Sequence, residues 1–190
     1  MILKSLLLQP LGPALVLAIA GIILALARRL SRGAATWAGA QAIRPARWQP
    51  WPYALRLPFA LVGVAGAAAI LVWLRLTDAD AVAGWQWQPL TVAGSTLEWR
   101  LDGWNWLVSG LILLLTAVAL LLDEEHSRPA SQLRSPAAAR SQRLDLLGTE
   151  VERTLWLAAG VLTFVCSANV LTLACSWIVL DAALAIRLRP

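Results

Sequence analysis

One carboxylate stands inside the most apolar part of this chain. The stretch Trp156–Arg187, WLAAGVLTFVCSANVLTLACSWIVLDAALAIR, carries a single acid, Asp181, near its far end. An ionisable side chain at membrane depth is a functional hypothesis by default, and a desolvated carboxyl suits proton uptake and release. The competing reading is a solvated or ion-paired anchor. Arg187 follows six residues later, about 9 Å along a helix axis, which brings Asp181 towards an interface. The remaining reactive residue types form no site. Cys166 and Cys175 have neither CxxC nor Cys/His spacing and read as small apolar packing residues. The one histidine, His126, falls in a polar stretch, so no imidazole is offered at membrane depth to haem or chlorophyll. No glycine-rich nucleotide loop, flavin site, iron–sulfur ligation or nucleophile–base pair is visible. No cofactor, no metal and no activity of the chain alone are therefore expected.

The elements that must position Asp181 follow from composition. Hydrophobic residues make up 59% of the chain and charged residues 14%, and the mean hydropathy is +0.66. A soluble domain carries about 25% charged residues. Several apolar runs approach or exceed 18 residues, which points to an integral membrane protein. The runs are continuous rather than alternating, so the spans are expected to be helices. The net charge of +5 is carried almost wholly by arginine. Beside spans, arginines set orientation, and nucleic-acid binding is not expected.

The fold expected is an all-α integral membrane protein: one domain over 1–190, about five transmembrane helices, and a short periplasmic β-hairpin between helices 2 and 3. The first span covers about 11–27. Ala25-Leu26-Ala27 loosely resembles a signal-peptidase site, but Arg28, Arg29 and Arg32 follow at once and argue for an uncleaved anchor. A basic loop covers 28–52, with Trp48 and Trp51 at its end; an anionic-lipid contact is its secondary reading. The second span covers about 57–74, with Pro58 in its first turn and a small-residue packing face at Gly63, Gly66 and Ala67-Ala68-Ala69. Residues 77–102 are acidic and tryptophan-rich. Leu90-Thr91-Val92 and Ser95-Thr96-Leu97, around Ala93-Gly94, read as the hairpin. Trp85, Trp87, Trp99, Trp104 and Trp106 read as an interfacial belt, with a carbohydrate or quinone platform as the alternative. Asp102 is placed to cap the third span, 103–122, which Asp123-Glu124-Glu125 would end. A basic polar loop covers 123–153; from Leu144 it has the pattern of a surface helix.

Charge decides the last stretch. With the basic loops 28–52 and 123–153 inside, the N-terminus lies outside and a fourth span starts inside. One span from 156 would carry the Arg187–Arg189 tail outside. Two spans, 154–167 and 170–187, turning at Ser167-Ala168-Asn169, return it to the inside of the cytoplasmic membrane. Asn169 is then the turn residue.

These residues resemble a known family. Leu101-Asp102-Gly103, entering a long apolar helix after a Trp-rich hairpin, resembles the third helix of the antiporter-like subunits of respiratory complex I. Those subunits are related to Mrp-type cation/proton antiporters. Ser167-Ala168-Asn169-Val170-Leu171-Thr172-Leu173, followed by Ser176-Trp177, resembles the family's Asp-Asn-Leu-Leu-type turn and its Gly-Trp-Glu sequence in the fifth helix. The order of elements agrees over 1–190; sequence support is confined to about 99–122 and 156–181. The resemblance implies an outside N-terminus, a place in a membrane arm and other membrane subunits as partners. The departures are specific. The family's key glutamate follows the tryptophan, where this chain has Ile178, and Ala168 replaces the acid before the asparagine. The family's buried lysines and broken helix fall beyond residue 190. Asp181 lies three residues after Ile178, about one turn along and about 60° round a helix.

Two functions are expected on this footing. One is a non-catalytic membrane subunit of a larger respiratory or photosynthetic complex, derived from a proton-translocating ancestor. The other is a working fragment of a split complex-I-type or Mrp-type translocating subunit, at most a part of an NADH–quinone oxidoreductase. An independent transporter is disfavoured because five helices form no evident pair of inverted repeats.

Overall fold

The computed structural model describes residues 9–38, 55–77, 81–86, 96–127 and 138–188. They form five helices and a two-stranded sheet: α1 (Gly12–Ala38), α2 (Arg56–Thr77), β1 (Ala81–Gln86), β2 (Thr96–Leu101), α3 (Gly103–Ser127), α4 (Ala138–Val165) and α5 (Val170–Leu188). Long apolar runs satisfy their own backbone groups as helices, which is why these sequences take that form. Three helices are long and apolar enough to cross a membrane, over Gly12–Leu30, Arg56–Thr77 and Gly103–Leu122; α5 carries a shorter apolar stretch, Val170–Ala185. In α4 the apolar run is preceded within one turn by Glu150, Glu152 and Arg153.

Helices α1 to α4 close a four-membered ring, α1 against α2, α2 against α3, α3 against α4 and α4 against α1. Helix α5 stands outside that ring, packed on α4 and on β2. Burial on α3 falls on Ser109, Leu113, Thr116 and Leu120, a stripe at helical spacing, while Leu107, Leu111, Leu114, Leu115, Val118 and Leu121 face outward. The centre is filled by Leu17, Leu120, Leu155 and Leu162, each almost wholly buried.

Small residues set the closest helix approaches. A methyl group on Gly63 would come within 2.9 Å of the Ala20 side chain, and one on Gly66 within 3.7 Å of Val16. The pairing of 63 with 20 and 66 with 16 also makes α1 and α2 antiparallel. Gly160 of α4 likewise faces the Leu180 backbone of α5 at 3.4 Å. Gly63→Ala is expected to part α1 and α2. Overpacking costs about 1–3 kcal/mol and is only partly offset by the roughly 1 kcal/mol helix preference of alanine over glycine. Thermal melting in detergent checks this against Gly103→Ala, where an added methyl meets nothing within 4 Å. A Gly63→Ala melt at or above the parent would contradict the contact.

The helix break between α4 and α5 stands at 166–169, as the sequence indicates. Other boundaries differ. Helix α1 continues through Arg28, Arg29 and Arg32 to Ala38, so the described part of 28–52 is helical; arginine is a good helix former and does not end a helix. Helix α3 runs through Asp123-Glu124-Glu125 and His126 to Ser127. Helix α4 begins at Ala138, ahead of the surface helix expected from Leu144, and runs unbroken into the span expected from 154, because alanine, arginine, leucine and glutamate all favour helix. The sheet is a correction too. β1 pairs antiparallel with β2 from Ala81↔Leu101 to Gln86↔Thr96. The strand partner of Thr96–Leu101 is therefore 81–86, not Leu90–Val92; residues 90–95, with Trp48, Trp51 and Trp87, lie outside the described residues. The tryptophans also divide. Trp99 and Trp106 pack on the core, and Trp106 Nε1 donates to the Leu71 carbonyl at 3.1 Å. Trp104 points outward, 77% exposed.

Candidate functional site

Three arrangements bring together the polar side chains of the bundle. The first joins the hairpin to the α4–α5 turn. Asp102 caps α3: its Oδ1 accepts from the amides of Trp104 (3.0 Å) and Asn105 (2.9 Å). An acid at a helix start satisfies free N–H groups and suits the helix dipole. Asn169 does the same for α5 and more. Its Oδ1 accepts from the Thr172 amide and from Thr172 Oγ1, both at 2.8 Å. Its Nδ2 donates to the Thr96 carbonyl at 2.7 Å. Asn169 is thus a cap and a strap to β2, beyond the turn role its sequence suggests. The free edge of β2 is covered by the same turn. The Arg100 amide donates to the Cys166 carbonyl (2.7 Å), the Ala168 amide to the Glu98 carbonyl (2.9 Å), and Trp99 bridges Ser167. The Glu98 amide reaches Thr172 Oγ1 at 2.8 Å. Beneath this joint Ser167 Oγ donates to Ser176 Oγ at 2.9 Å. Ser109 and Cys166 meet at 3.9 Å. Both cysteines are free thiols.

The second arrangement holds Asp181. Trp177 Nε1 donates to Asp181 Oδ2 at 2.9 Å, one turn apart on α5. Trp177 also stands edge-on to Phe164 of α4, with ring centres 5.7 Å apart. Both Asp181 and Ile178 are exposed on the outer side of α5; Ile178 is 69% exposed. The buried side of that helix is made by Thr172, Ser176 and Ala183. Asp181 therefore faces away from the helix ring.

The third arrangement was not foreseen from the sequence. Arg28 of α1 and Glu152 of α4 form an ion pair at 2.9 Å, with side-chain exposures of 18% and 6%. It lies at the end of the bundle opposite the hairpin, since α1 runs from the hairpin end and α4 runs towards it. Glu152 differs from Glu150, which is only half covered and pairs with Arg153 one turn on at 3.2 Å. The available signal was the position of both groups: each flanks an apolar run, and continued helices bring them to one level. Among the described residues no group of three or more His, Cys, Asp or Glu side chains could hold a metal ion.

The geometry can do specific things. It can lock α5 to the hairpin, hold α1 to α4 through a shielded charge pair, and present one acid outward. It brings Asp102 and Asn169 to the hairpin end, while Trp177 and Asp181 make a separate pair on the outer wall. No protein family, curated protein or solved structure matches this chain.

Proposed function

We propose that this chain is a non-catalytic membrane subunit of a larger energy-transducing complex, respiratory or photosynthetic, descended from an antiporter-like proton-translocating subunit. The observation that carries this reading is the outward aspect of Asp181. A transfer group needs neighbours with which to exchange a proton, and Asp181 turns its carboxylate away from the ring with a tryptophan N–H as its partner. Ile178, where the resembled family places its glutamate, points outward as well. The ancestry rests on the motifs around 101–103 and 167–177, which here form a capped helix start and a strapped helix break.

The orientation proposed has five crossings, N-terminus outside and C-terminus inside the cytoplasmic membrane. Supporting it, the hairpin and the 166–169 turn lie at one end, and Arg28, Arg29, Arg56 and Arg153 lie towards the other. α4 crosses in this reading because Arg28 neutralises Glu152.

A second reading is favoured by one feature, the closeness of Asp181 to position 178: a fragment of a split translocating subunit that uses Asp181 as its carrier. Purification in mild detergent tests both. We expect other membrane chains of a redox-linked or pigment-linked complex to co-purify. Asp181→Asn should leave proton translocation by that complex unchanged and weaken retention of this chain. Intact assembly with translocation abolished would instead establish the second reading. Migration as a lone monomer would overturn both.

A further inference from the structure

We infer that the outer face of α5, centred on Trp177, Ile178 and Asp181, docks a transmembrane helix of a different chain that carries a lysine or arginine at the level of Asp181. The inference rests on the membrane-subunit reading above and adds the surface and the chemistry of its partner.

Three observations lead there. Among the described residues α5 is held from one side only, by α4 and β2. Its other side leaves Val170, Trp177 and Ile178 more than half exposed. Trp177 stands out among these, since large aromatic side chains are the commonest anchors of protein interfaces.

The charge then selects the occupant. One turn either side of Asp181 the helix offers Trp177, Ile178, Leu184 and Ala185, none of them cationic. Trp177 Nε1, a neutral donor, engages Oδ2. Asp181 lies eleven residues into α5, about 16 Å from its start, and four residues, about 6 Å, short of Ala185. The short aspartate side chain does not reach the interface from there as a long basic one would. Lipid tails supply no counter-charge, whereas a basic side chain on a neighbouring helix does.

A second copy of this chain does not fit the same face. Two-fold pairing would set Asp181 against Asp181, a like-charge contact. Among the described residues the exposed arginines are Arg29, in the half of α1 away from the hairpin, Arg75, in the last turn of α2, and Arg100, on β2, none of them at the level of Asp181. The partner is accordingly a different polypeptide, and the contact is an ion pair framed by aromatic and aliphatic side chains.

A photoreactive benzoylphenylalanine at Ile178, with the same probe at Val62 on the outer face of α2 as control, tests this in native membranes. From Ile178 we expect a cross-link to an apolar peptide of another membrane protein that contains Lys or Arg. Asp181→Asn should lower its yield about tenfold, and Asp181→Glu should retain it. Both variants are to be compared with the parent by melting temperature, so that misfolding is recognised. Lipid adducts alone, a peptide of this same chain, a helix without a basic residue, or a yield indifferent to Asp181→Asn would each overturn the inference. If partner chains still co-purify while Ile178 labels only lipid, the docking surface fails and the subunit reading stands. If no chain co-purifies, both fail.

Discussion

Glu152→Ala is expected to destabilise the detergent-solubilised protein by about 3–5 kcal/mol, the usual cost of removing one partner from a buried ion pair. The loss comes chiefly from what remains. Arg28 keeps its charge at 18% side-chain exposure and loses the carboxylate 2.9 Å from it. Glu152→Gln should fall between the parent and Glu152→Ala, because it keeps the shape and one acceptor but not the charge. The double change Arg28→Met with Glu152→Leu should recover most of the loss, since apolar side chains of similar volume replace buried pairs at little cost. Thermal or denaturant unfolding of the four proteins in one detergent reads this cycle. A Glu152→Ala protein within about 1 kcal/mol of the parent would mean that the pair does not hold α1 to α4.

The second large effect is expected at Asn169. Asn169→Ala removes the α5 cap, worth about 1–2 kcal/mol, and two further hydrogen bonds, to the Thr96 carbonyl and from Thr172 Oγ1, worth about 1 kcal/mol each. The total is about 3–4 kcal/mol. Asn169→Asp divides the two roles. It keeps an oxygen for the Thr172 amide and hydroxyl but has no N–H for Thr96, so it should lose only the strap. Amide hydrogen exchange gives the local readout. The Glu98 and Arg100 amides bond across the joint to Thr172 Oγ1 and Cys166 O, and both should exchange faster in Asn169→Ala. Protection unchanged at Glu98 would show that the joint is held without Asn169.

What the sequence reveals of this protein divides by physical cause. Long apolar runs announce themselves, because nothing but a helix satisfies their backbones in an apolar setting; α2 and α3 are legible almost to their ends. The break at 167–169 is legible because polar residues interrupt a run too long for one ordinary span. Asp102 is legible because a cap acts within three residues of itself. Helix continuation past the apolar runs is not legible by hydropathy, which is why α1 and α3 outrun their expected ends and α4 its expected start. The hairpin register is set by pairing over many residues, and the local turn signal at Ala93-Gly94 does not fix which strands meet. Arg28–Glu152 depends on two helices lying side by side, and no local pattern carries that. Asp181 is visible as a lone acid, but its outward aspect depends on which side of α5 meets α4.

The strap between β2 and the α4–α5 turn also orders the chain in time. Asn169 and Thr172 bond residues that precede them by 73 and 74 positions. On a ribosome, β2 is made long before its second edge can be covered. Throughout the synthesis of α3 and α4 that edge stays open, a template for pairing with another strand. Covering of that edge must wait for the first turn of α5. Closing a loop of that length carries an entropic cost that pairing within the hairpin does not.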